Sequence, residues 1–331
     1  MSDRLVDVHH HWMPAEHFHG AERWLRPNEE ARRTDGVLDI YRDGQRVFPN
    51  MREILYRMDD QLAEMDRLGV GTAVLCTANW MEWTTMANCR TVNDGLAEVV
   101  RRYPDRFVGL AHVPPVEAGA LDELKRCIEE LGFRGAAVGA YLVPEQLQLD
   151  APELRPFWRQ VDALDVPVVV HPSTLPQEYA MLRDYDLTRS VGRAYNVTVA
   201  VMRVLMSGLL EEFPRLRFVM PHLGGTFFAL GDRYLSSYFD FGTPEAERER
   251  ERLQKARERL YFDTAPPHWS PASLRHAVAQ LGPEHVLFGS DYPIQESFLE
   301  RAVRLFEAAE FETSVRQRVG WENAQGLFGL G

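Results

Sequence analysis

Cysteine, net positive charge and long apolar runs are all scarce in this sequence. Its 331 residues include three cysteines and no CxxC pair, so we expect a reduced compartment and no disulfide framework. The formal net charge of −12 argues against nucleic acid or an anionic membrane surface as partner, because both favour basic patches. No apolar run approaches the roughly 20 residues that span a bilayer, and the first residues show no signal-peptide core. We therefore expect a cytoplasmic protein with no membrane partner, although a locally basic pocket could still hold a small acid.

Eight apolar runs rich in β-branched residues recur along the chain. They are Leu5–Val8, Gly71–Cys76, Phe107–His112, Gly135–Gly139, Val166–His171, Leu216–His222, Leu260–Asp263 and Val286–Asp291. The runs are continuous and not alternating, which is typical of a parallel sheet covered on both faces. Apolar residues at helical spacing in 52–68, 121–131 and 154–164 predict helices between them. This order predicts an α/β protein that is a single (β/α)8 TIM barrel over residues 1–331.

Three segments that follow predicted strands are too long for simple connections. They comprise residues 12–51, 172–190 and 232–259, and the last ends in the charge run Glu245–Arg259, which we interpret as a solvated helix face. Segments that follow strands lie at the C-terminal face of a barrel, so we expect these insertions to build a pocket there. The tail, residues 306–330, predicts two closing helices.

Histidine and aspartate residues stand at the C-terminal ends of several predicted strands. The first run leads into three consecutive histidines, of which His9 and His11 point to one side of a strand and the middle one to the other. His171, His222 and Asp291 end the fifth, sixth and eighth runs. In a parallel barrel all these side chains converge on one mouth. They predict a metal site whose ligands are His9, His11, His171 and Asp291.

Imidazole and carboxylate ligands suit zinc, and also manganese or iron. We predict one divalent ion, with zinc as the first choice. A second ion is not expected, because the fourth run, Gly135–Gly139, has no lysine that could bridge two ions as a carbamate. His222 could be a fifth ligand, but we assign it to proton transfer beside the metal, together with Asp291.

The order of these motifs resembles that of the amidohydrolase superfamily. The motifs are His-x-His on the first strand, His-Pro on the fifth, Pro-His-x-Gly-Gly on the sixth and Gly-Ser-Asp-Tyr-Pro on the eighth. They are similar to the branch that contains aminocarboxymuconate-semialdehyde decarboxylase, and the resemblance covers nearly the whole chain. It implies a metal-dependent decarboxylase, a carbon–carbon lyase that acts on a small aromatic or unsaturated carboxylic acid. A hydrolase or hydratase of a lactone, amide or unsaturated acid on the same site is the alternative, because both chemistries occur in this branch.

The resemblance also suggests residues that contact the substrate. Arg52 matches a family arginine that grips a carboxylate, and Arg233 matches one that reaches the neighbouring subunit's site, which implies a homodimer or larger homo-oligomer. A surface or helix-dipole role is the alternative for both arginines. Trp80 and Trp83, where this sequence departs from the decarboxylase, could stack on a planar ring or cap the barrel.

Two more polar residues lie at strand ends without a clear role. His112, on the third run, is predicted to be structural or to support the site. Asp263, at the end of the seventh run, is predicted either to orient a histidine or to bond locally to the backbone.

Overall fold

Eight parallel strands form a barrel in the computed structural model, which describes residues 4–77, 85–142, 146–173, 180–182, 184–236 and 243–330. The barrel strands, first to eighth, are Leu5–His11, Val70–Cys76, Phe107–Gly109 with Ala111–His112, Ala136–Gly139, Val168–His171, Phe218–Met220, Leu260–Asp263 and Val286–Leu287. Successive strands pair in parallel. A parallel bridge between His10 and Tyr292 closes the barrel between its first and eighth strands. The predicted (β/α)8 barrel is confirmed.

Helices surround the barrel and connect its strands. The α-helices are Ala15–His19, Met58–Leu68, Met86–Arg102, Ala120–Glu129, Arg155–Leu164, Arg193–Met206, Leu209–Glu212, Phe227–Ser236, Pro244–Arg257, Pro271–Leu281, Phe298–Ala308, Thr313–Gln317 and Asn323–Phe328. The helix predicted over 52–68 begins only at Met58, because Glu53–Leu55 forms a separate 3-10 turn. It ends as expected at Gly69, whose φ of 73° suits glycine. Within the described residues, no helix is both long and apolar enough to cross a membrane.

Apolar side chains fill the barrel and the space between barrel and helices. The interior cluster includes Val6, Val8 and Val169, and the tail residues Trp321 and Phe328 pack on it. Two helices were predicted for this tail. The helices Thr313–Gln317 and Asn323–Phe328 are joined by a π-helical turn, and together they cover the end of the barrel opposite to the histidines.

The insertion over residues 12–51 contains a sheet that the sequence analysis did not predict. Its strands Glu29–Thr34, Val37–Arg42 and Gln45–Met51 pair in antiparallel order. The two-residue turns Asp35-Gly36 and Asp43-Gly44 have positive φ at all four positions. Asp-Gly is a strong signal for such hairpins, so the sequence contained the information.

The charge run after the sixth strand forms the helix Pro244–Arg257, as predicted. The hydroxyl of Thr243 accepts the N–H of Ala246 and caps the first turn. Most of its charged residues are exposed, which confirms the solvated helix face.

Candidate active site

A bulge in the first barrel strand directs its histidines into the barrel. Two residues of this strand, Val8 and His9, face the single residue Val74 of the second strand. Val8 packs in the apolar interior, and strict alternation would therefore point His9 outward. The bulge turns His9 inward, and His11 follows on the same side. His9 and His11 share one side as predicted, but the bulge that places them there was not predicted.

Four side chains meet at the C-terminal mouth of the barrel. The potential ligand atoms of His9, His11, His171 and Asp291 all lie within 4.8 Å of one another. Oδ1 of Asp291 is 2.9 Å from Nε2 of His11 and 3.6 Å from Nε2 of His9. The structure thus brings together the four residues that the strand ends predicted. Three imidazoles and one carboxylate form a donor set that suits a divalent metal.

The three histidines of this cluster are oriented by hydrogen bonds at Nδ1. Each donates Nδ1–H to a fixed acceptor: His9 to Oδ2 of Asp263 at 2.7 Å, His11 to the carbonyl oxygen of Cys76 at 3.2 Å, and His171 to that of Pro172 at 2.9 Å. This tautomer leaves each Nε2 available as a metal ligand. Nε2 of His9 is buried and has no hydrogen-bond partner among the described residues. A buried nitrogen of this kind is expected where a metal binds, so these residues fit a metal ion.

Burial and opposite charges set the protonation of the cluster. Burial lowers the pKa of His9, but the carboxylates of Asp263 and Asp291 outweigh it and raise that pKa to about 9. Burial raises the pKa of Asp291, but its hydrogen bond to His11 and the charge of His9 lower it to about 2. At neutral pH Asp291 is therefore an anion, the form that binds a cation, and His9 is protonated, so that a metal ion would displace the proton on its Nε2.

His222 lies beside the four-residue cluster and not in it. Its ring is stacked on that of His9 with 5.6 Å between centroids. Nε2 of His222 is buried and has no hydrogen-bond partner among the residues that the structure describes. Burial, reinforced by the charge of His9, lowers the pKa of His222 to about 4. A neutral imidazole with a nitrogen that faces the site is suited to accept a proton.

Asp263 connects His222 to the cluster. One oxygen, Oδ2, accepts Nδ1–H of His9, and the other, Oδ1, accepts the backbone N–H of His222 at 3.0 Å. Oδ1 also accepts the N–H of Ala265 at 3.0 Å. Both roles that the sequence left open for Asp263 are therefore present. Its carboxylate orients a candidate metal ligand, His9, and fixes the backbone of the candidate proton acceptor, His222.

A cavity of about 400 Å³ opens above the cluster, and His171, His222 and Asp291 form part of its wall. This volume is within the range of small-molecule sites. The apolar part of the wall is contributed by Pro49, Pro172, Pro266, Trp269, Ile294 and Phe298. The charged part includes Asp186, Arg189 and Arg193. An apolar wall next to a polar cluster suits a small ring with polar substituents.

The structure does not bring all predicted substrate residues to this cavity. Arg52 is 44% exposed and lies in a separate surface cleft, where its Nε is 3.8 Å from Oε1 of Glu296. Arg233 is exposed on the helix Phe227–Ser236. Trp80 and Trp83 lie outside the described residues. The substrate roles of all four residues stay predictions.

Arg193 is a cavity residue that the sequence analysis missed. It is the first residue of the helix Arg193–Met206 and donates from Nη2 to the carbonyl oxygen of Val47 at 3.4 Å. Its charge contributes to the lowered pKa of His171 and of His222, after burial and the neighbouring histidines. No motif marks Arg193. Only its position at the end of a long insertion on the C-terminal face could have identified it.

His112 has a structural role in the third strand, one of the alternatives predicted for it. Its Nε2 accepts the backbone N–H of Thr77 at 3.0 Å. Its own backbone N–H and carbonyl oxygen are both bonded to the side-chain amide of Asn93, each at 2.9 Å.

Comparison with known proteins identifies the family. A sequence model described as amidohydrolase matches residues 6–330. This chain belongs to the amidohydrolase family. The gamma-resorcylate decarboxylase of Polaromonas sp. (strain JS666 / ATCC BAA-500) is 30% identical over 299 residues, 86% of this chain and 91% of that protein. The 2-amino-3-carboxymuconate-6-semialdehyde decarboxylase of Dictyostelium discoideum is 27% identical over 283 residues, 82% of this chain and 76% of that protein.

This chain also has a fold similar to that of a solved structure. It is a dihydroxybenzoic acid decarboxylase from Polaromonas sp. JS666 with bound manganese and the inhibitor 2-nitroresorcinol. The TM-score is 0.76 at 25% identity, with 99% of this chain and 98% of that one covered. The predicted superfamily and its decarboxylase branch are confirmed.

We expect His222→Ala to separate metal binding from turnover. Because His222 lies outside the cluster, the variant should keep close to one equivalent of metal by elemental analysis. Its rate should fall by about 10²–10⁴, the usual contribution of a positioned proton-transfer group. The matched control is His285→Ala, at the opposite end of the barrel, which should retain both metal and rate. Loss of metal together with rate would show that His222 is a ligand.

Proposed function

We propose that this amidohydrolase is a metal-dependent decarboxylase of a small aromatic acid that carries a hydroxyl group beside the carboxylate. The observation that carries the proposal is the cluster of His9, His11, His171 and Asp291, of which His171 and Asp291 line a cavity with apolar sides. The relatives named above are decarboxylases, and one is named for gamma-resorcylate. The similar solved structure holds 2-nitroresorcinol, a planar ring with oxygen substituents. These findings support an aromatic acid over the unsaturated acid that was also predicted.

The metal is proposed to be a single divalent ion per chain. Bound by the four side chains, it would supply a Lewis acid for oxygen atoms of the substrate. Its three imidazoles suit zinc, the first choice from the sequence, and its carboxylate is also compatible with manganese. Manganese is the direct competitor, because the similar solved structure contains it. Elemental analysis of the purified protein decides between them.

The residues of the chain itself would provide and position protons. When the bond between the ring carbon and the carboxylate breaks, carbon dioxide leaves and the electron pair stays on the ring carbon. A proton must then form the new C–H bond. His222 is proposed to take this proton from a water molecule and pass it to the ring carbon, and Asp291 is the alternative relay, since both side chains line the cavity. The apolar wall excludes water from this carbon and favours loss of the carboxylate charge.

Arg193 is proposed to hold an anionic group of the substrate. It lines the same cavity as His222 and Asp291, whereas Arg52 lies in a different cleft. A guanidinium offers paired N–H donors that match a carboxylate or phenolate oxygen. The departing carboxylate loses its charge during the reaction, so a cation that gripped it tightly would oppose the step. Arg193 is therefore assigned to a group that remains on the ring.

The protein is also proposed to act as a homodimer. An apolar groove runs between the helices Arg193–Met206 and Phe227–Ser236, and it is lined by Val191, Tyr195, Met202, Met206 and Tyr234. Val191 is 54% exposed and Tyr195 is 49% exposed. Exposed apolar surface of this kind marks protein interfaces. Ala194 lines both the groove and the active cavity, so a second copy seated here would lie close to the site.

Arg233 lies on the helix Phe227–Ser236, which contributes Tyr234 to the wall of this groove. It follows Leu230 by one helical turn and precedes Tyr234, so all three share one face of the helix. In a two-fold contact each chain would donate the same residue to the other. The proposal thus assigns Arg233 to the cavity of the partner subunit.

A substrate panel tests the reaction. Metal-loaded protein should release carbon dioxide from 2,6-dihydroxybenzoate or 2-hydroxybenzoate and not from benzoate, because benzoate lacks the neighbouring hydroxyl. Prior removal of the metal with a chelator should abolish the release. Turnover of lactones or amides without carbon dioxide would instead establish the hydrolase alternative. No release from any hydroxybenzoate would refute the proposed substrate class.

Matched variants distinguish the roles of Arg193 and Arg52 in substrate binding. Arg193→Met should raise KM by about 10–100-fold, since a hydrogen bond to a charged group contributes about 1.5–3 kcal/mol. Arg52→Met should leave KM close to that of the wild type, because Arg52 lies outside the cavity. The reverse pattern would restore Arg52 as the residue that binds the substrate.

Complementation tests the role of Arg233. The Arg233→Ala and His9→Ala chains should each be inactive alone. Mixed under conditions that allow subunit exchange, they should regain activity, because one site of the heterodimer keeps its own metal ligands and a partner's arginine. If subunit exchange is demonstrated and activity does not recover, Arg233 acts on the site of its own chain or has a structural role.

A further inference from the structure

A buried carboxylate joins the two strands that carry three of the four ligands. Asp7 lies on the first strand and is fully buried, at 0% exposed. Its Oδ1 accepts the backbone N–H of His9 at 3.1 Å and that of Ser290 at 3.0 Å. Its Oδ2 accepts Nδ1–H of His10 at 2.9 Å and also the hydroxyl hydrogen of Ser290. The side chain of Asp7 therefore holds the backbone of two residues. One is His9, a predicted ligand, and the other is Ser290, which precedes the predicted ligand Asp291.

The hydrogen bond from the backbone N–H of His9 to Asp7 compensates for the bulge. The extra residue of a bulge is left out of the hydrogen-bond ladder, and a buried N–H without an acceptor is costly. The carboxylate of Asp7 accepts this N–H. The bulge is what directs His9 toward the metal site, so Asp7 stabilises the backbone conformation that makes His9 a ligand.

The bonds to Ser290 compensate for a second irregularity. Regular pairing of the eighth strand ends at Leu287, and Asp291 has a left-handed φ of 63°. Asp7 accepts both the N–H and the hydroxyl hydrogen of Ser290. Oγ of Ser290 in turn accepts the N–H of Tyr292 at 3.1 Å. The residues on both sides of Asp291 are thus connected to Asp7.

We infer that Asp7 is a positioning residue that sets the distance between the ligands of the first strand, His9 and His11, and Asp291 of the eighth. A metal requires its ligand atoms to be placed within a few tenths of an ångström. Without the carboxylate, the two irregular segments would lose their common acceptor, and binding the metal would have to restore their spacing. This inference rests on the proposed metal site, and it does not require the proposed substrate.

Two variants of increasing severity test the inference through metal affinity. Ser290→Ala removes only the hydroxyl that bonds to Asp7 and Tyr292. Asp7→Asn keeps the shape of the side chain but replaces one acceptor oxygen with an amide that donates. We expect the Kd for Mn²⁺ and for Zn²⁺, measured by chelator competition, to rise about 10–100-fold in Asp7→Asn, the usual effect of a residue that supports metal ligands. Ser290→Ala should show a smaller rise. The absorption spectrum of the Co²⁺-loaded protein should also change in Asp7→Asn, because the ligand geometry changes.

A control at the start of the eighth strand, the end opposite to Asp291, distinguishes positioning of the ligands from general stability. Asn323 donates from Nδ2 to the carbonyl oxygens of Pro283 at 2.7 Å and Val286 at 2.8 Å. Asn323→Ala should lower the thermal midpoint of the metal-free protein without changing the Kd or the Co²⁺ spectrum. If Asp7→Asn behaves in the same way, Asp7 is structural only and the inference is wrong. If the Asp7→Asn chain does not fold, the inference is tested by comparing the metal Kd of Ser290→Ala with that of Asn323→Ala. An unchanged Kd in both would show that it is wrong.

Failure of the proposed function can be told apart from failure of this inference. Wild-type protein that binds metal tightly but releases no carbon dioxide would refute the decarboxylase while the affinities of the variants still test Asp7. Wild-type protein that binds neither Mn²⁺ nor Zn²⁺ would overturn the inference together with the metal site.

Discussion

Ligand atoms from three separate strands have to meet at one point in the mouth of the barrel, and buried carboxylates make this possible. A regular strand cannot supply this geometry alone, because its side chains alternate and its residues advance by a fixed rise. The first strand departs from regularity at Val8 and His9, and the eighth departs from it after Leu287. Each departure leaves backbone N–H groups that need new acceptors. Asp7 accepts such N–H groups from both strands, at His9 and at Ser290, and Asp263 accepts the backbone N–H of His222 beside the cluster.

These carboxylates also explain how so many histidines are tolerated in a buried place. Unpaired imidazoles in an apolar interior lose hydration without compensation. Here Asp263 accepts from His9, Asp7 accepts from His10, and Asp291 lies against His11. A cation added to this cluster would be balanced by the charge of Asp291 and by that of Asp263 behind His9. The site is therefore arranged for a positive ion before one binds.

The features that the sequence predicted depend on local patterns. Continuous apolar runs at regular intervals indicated the parallel barrel, and a histidine or aspartate at the end of a run indicated the ligands. The bulge was not predicted, because the order Val-Asp-Val-His-His-His reads equally well as plain alternation. Its cause lies in bonds between residues far apart in the chain, such as Asp7 with Ser290. The three-stranded insertion was missed for a different reason, since its Asp-Gly turns are local signals that were overlooked.

Residues on insertions were harder to predict than residues on strands. A strand end in a barrel has one fixed place, whereas the path of a long insertion depends on what it packs against. Arg52 follows such an insertion and lies in a separate cleft, while Arg193 ends another and enters the cavity. The family motif indicated the residue type but not the course of the backbone. The strand ends therefore predicted which four residues meet at the mouth of the barrel, whereas the residues that insertions bring to the cavity were harder to predict.

The separation of the metal cluster on barrel strands from cavity residues on insertions affects how such a protein can evolve. The antiparallel sheet of the insertion, Glu29–Met51, is held by its own pairing and by two local turns. It ends beside Pro49 and Asn50, which line the cavity. The predicted metal ligands belong to the barrel strands, so the insertion can change at its exposed positions without disturbing them, while Leu38, Ile40 and Phe48 keep it packed on the core. A new substrate range can then arise through this small module while the barrel preserves the reaction.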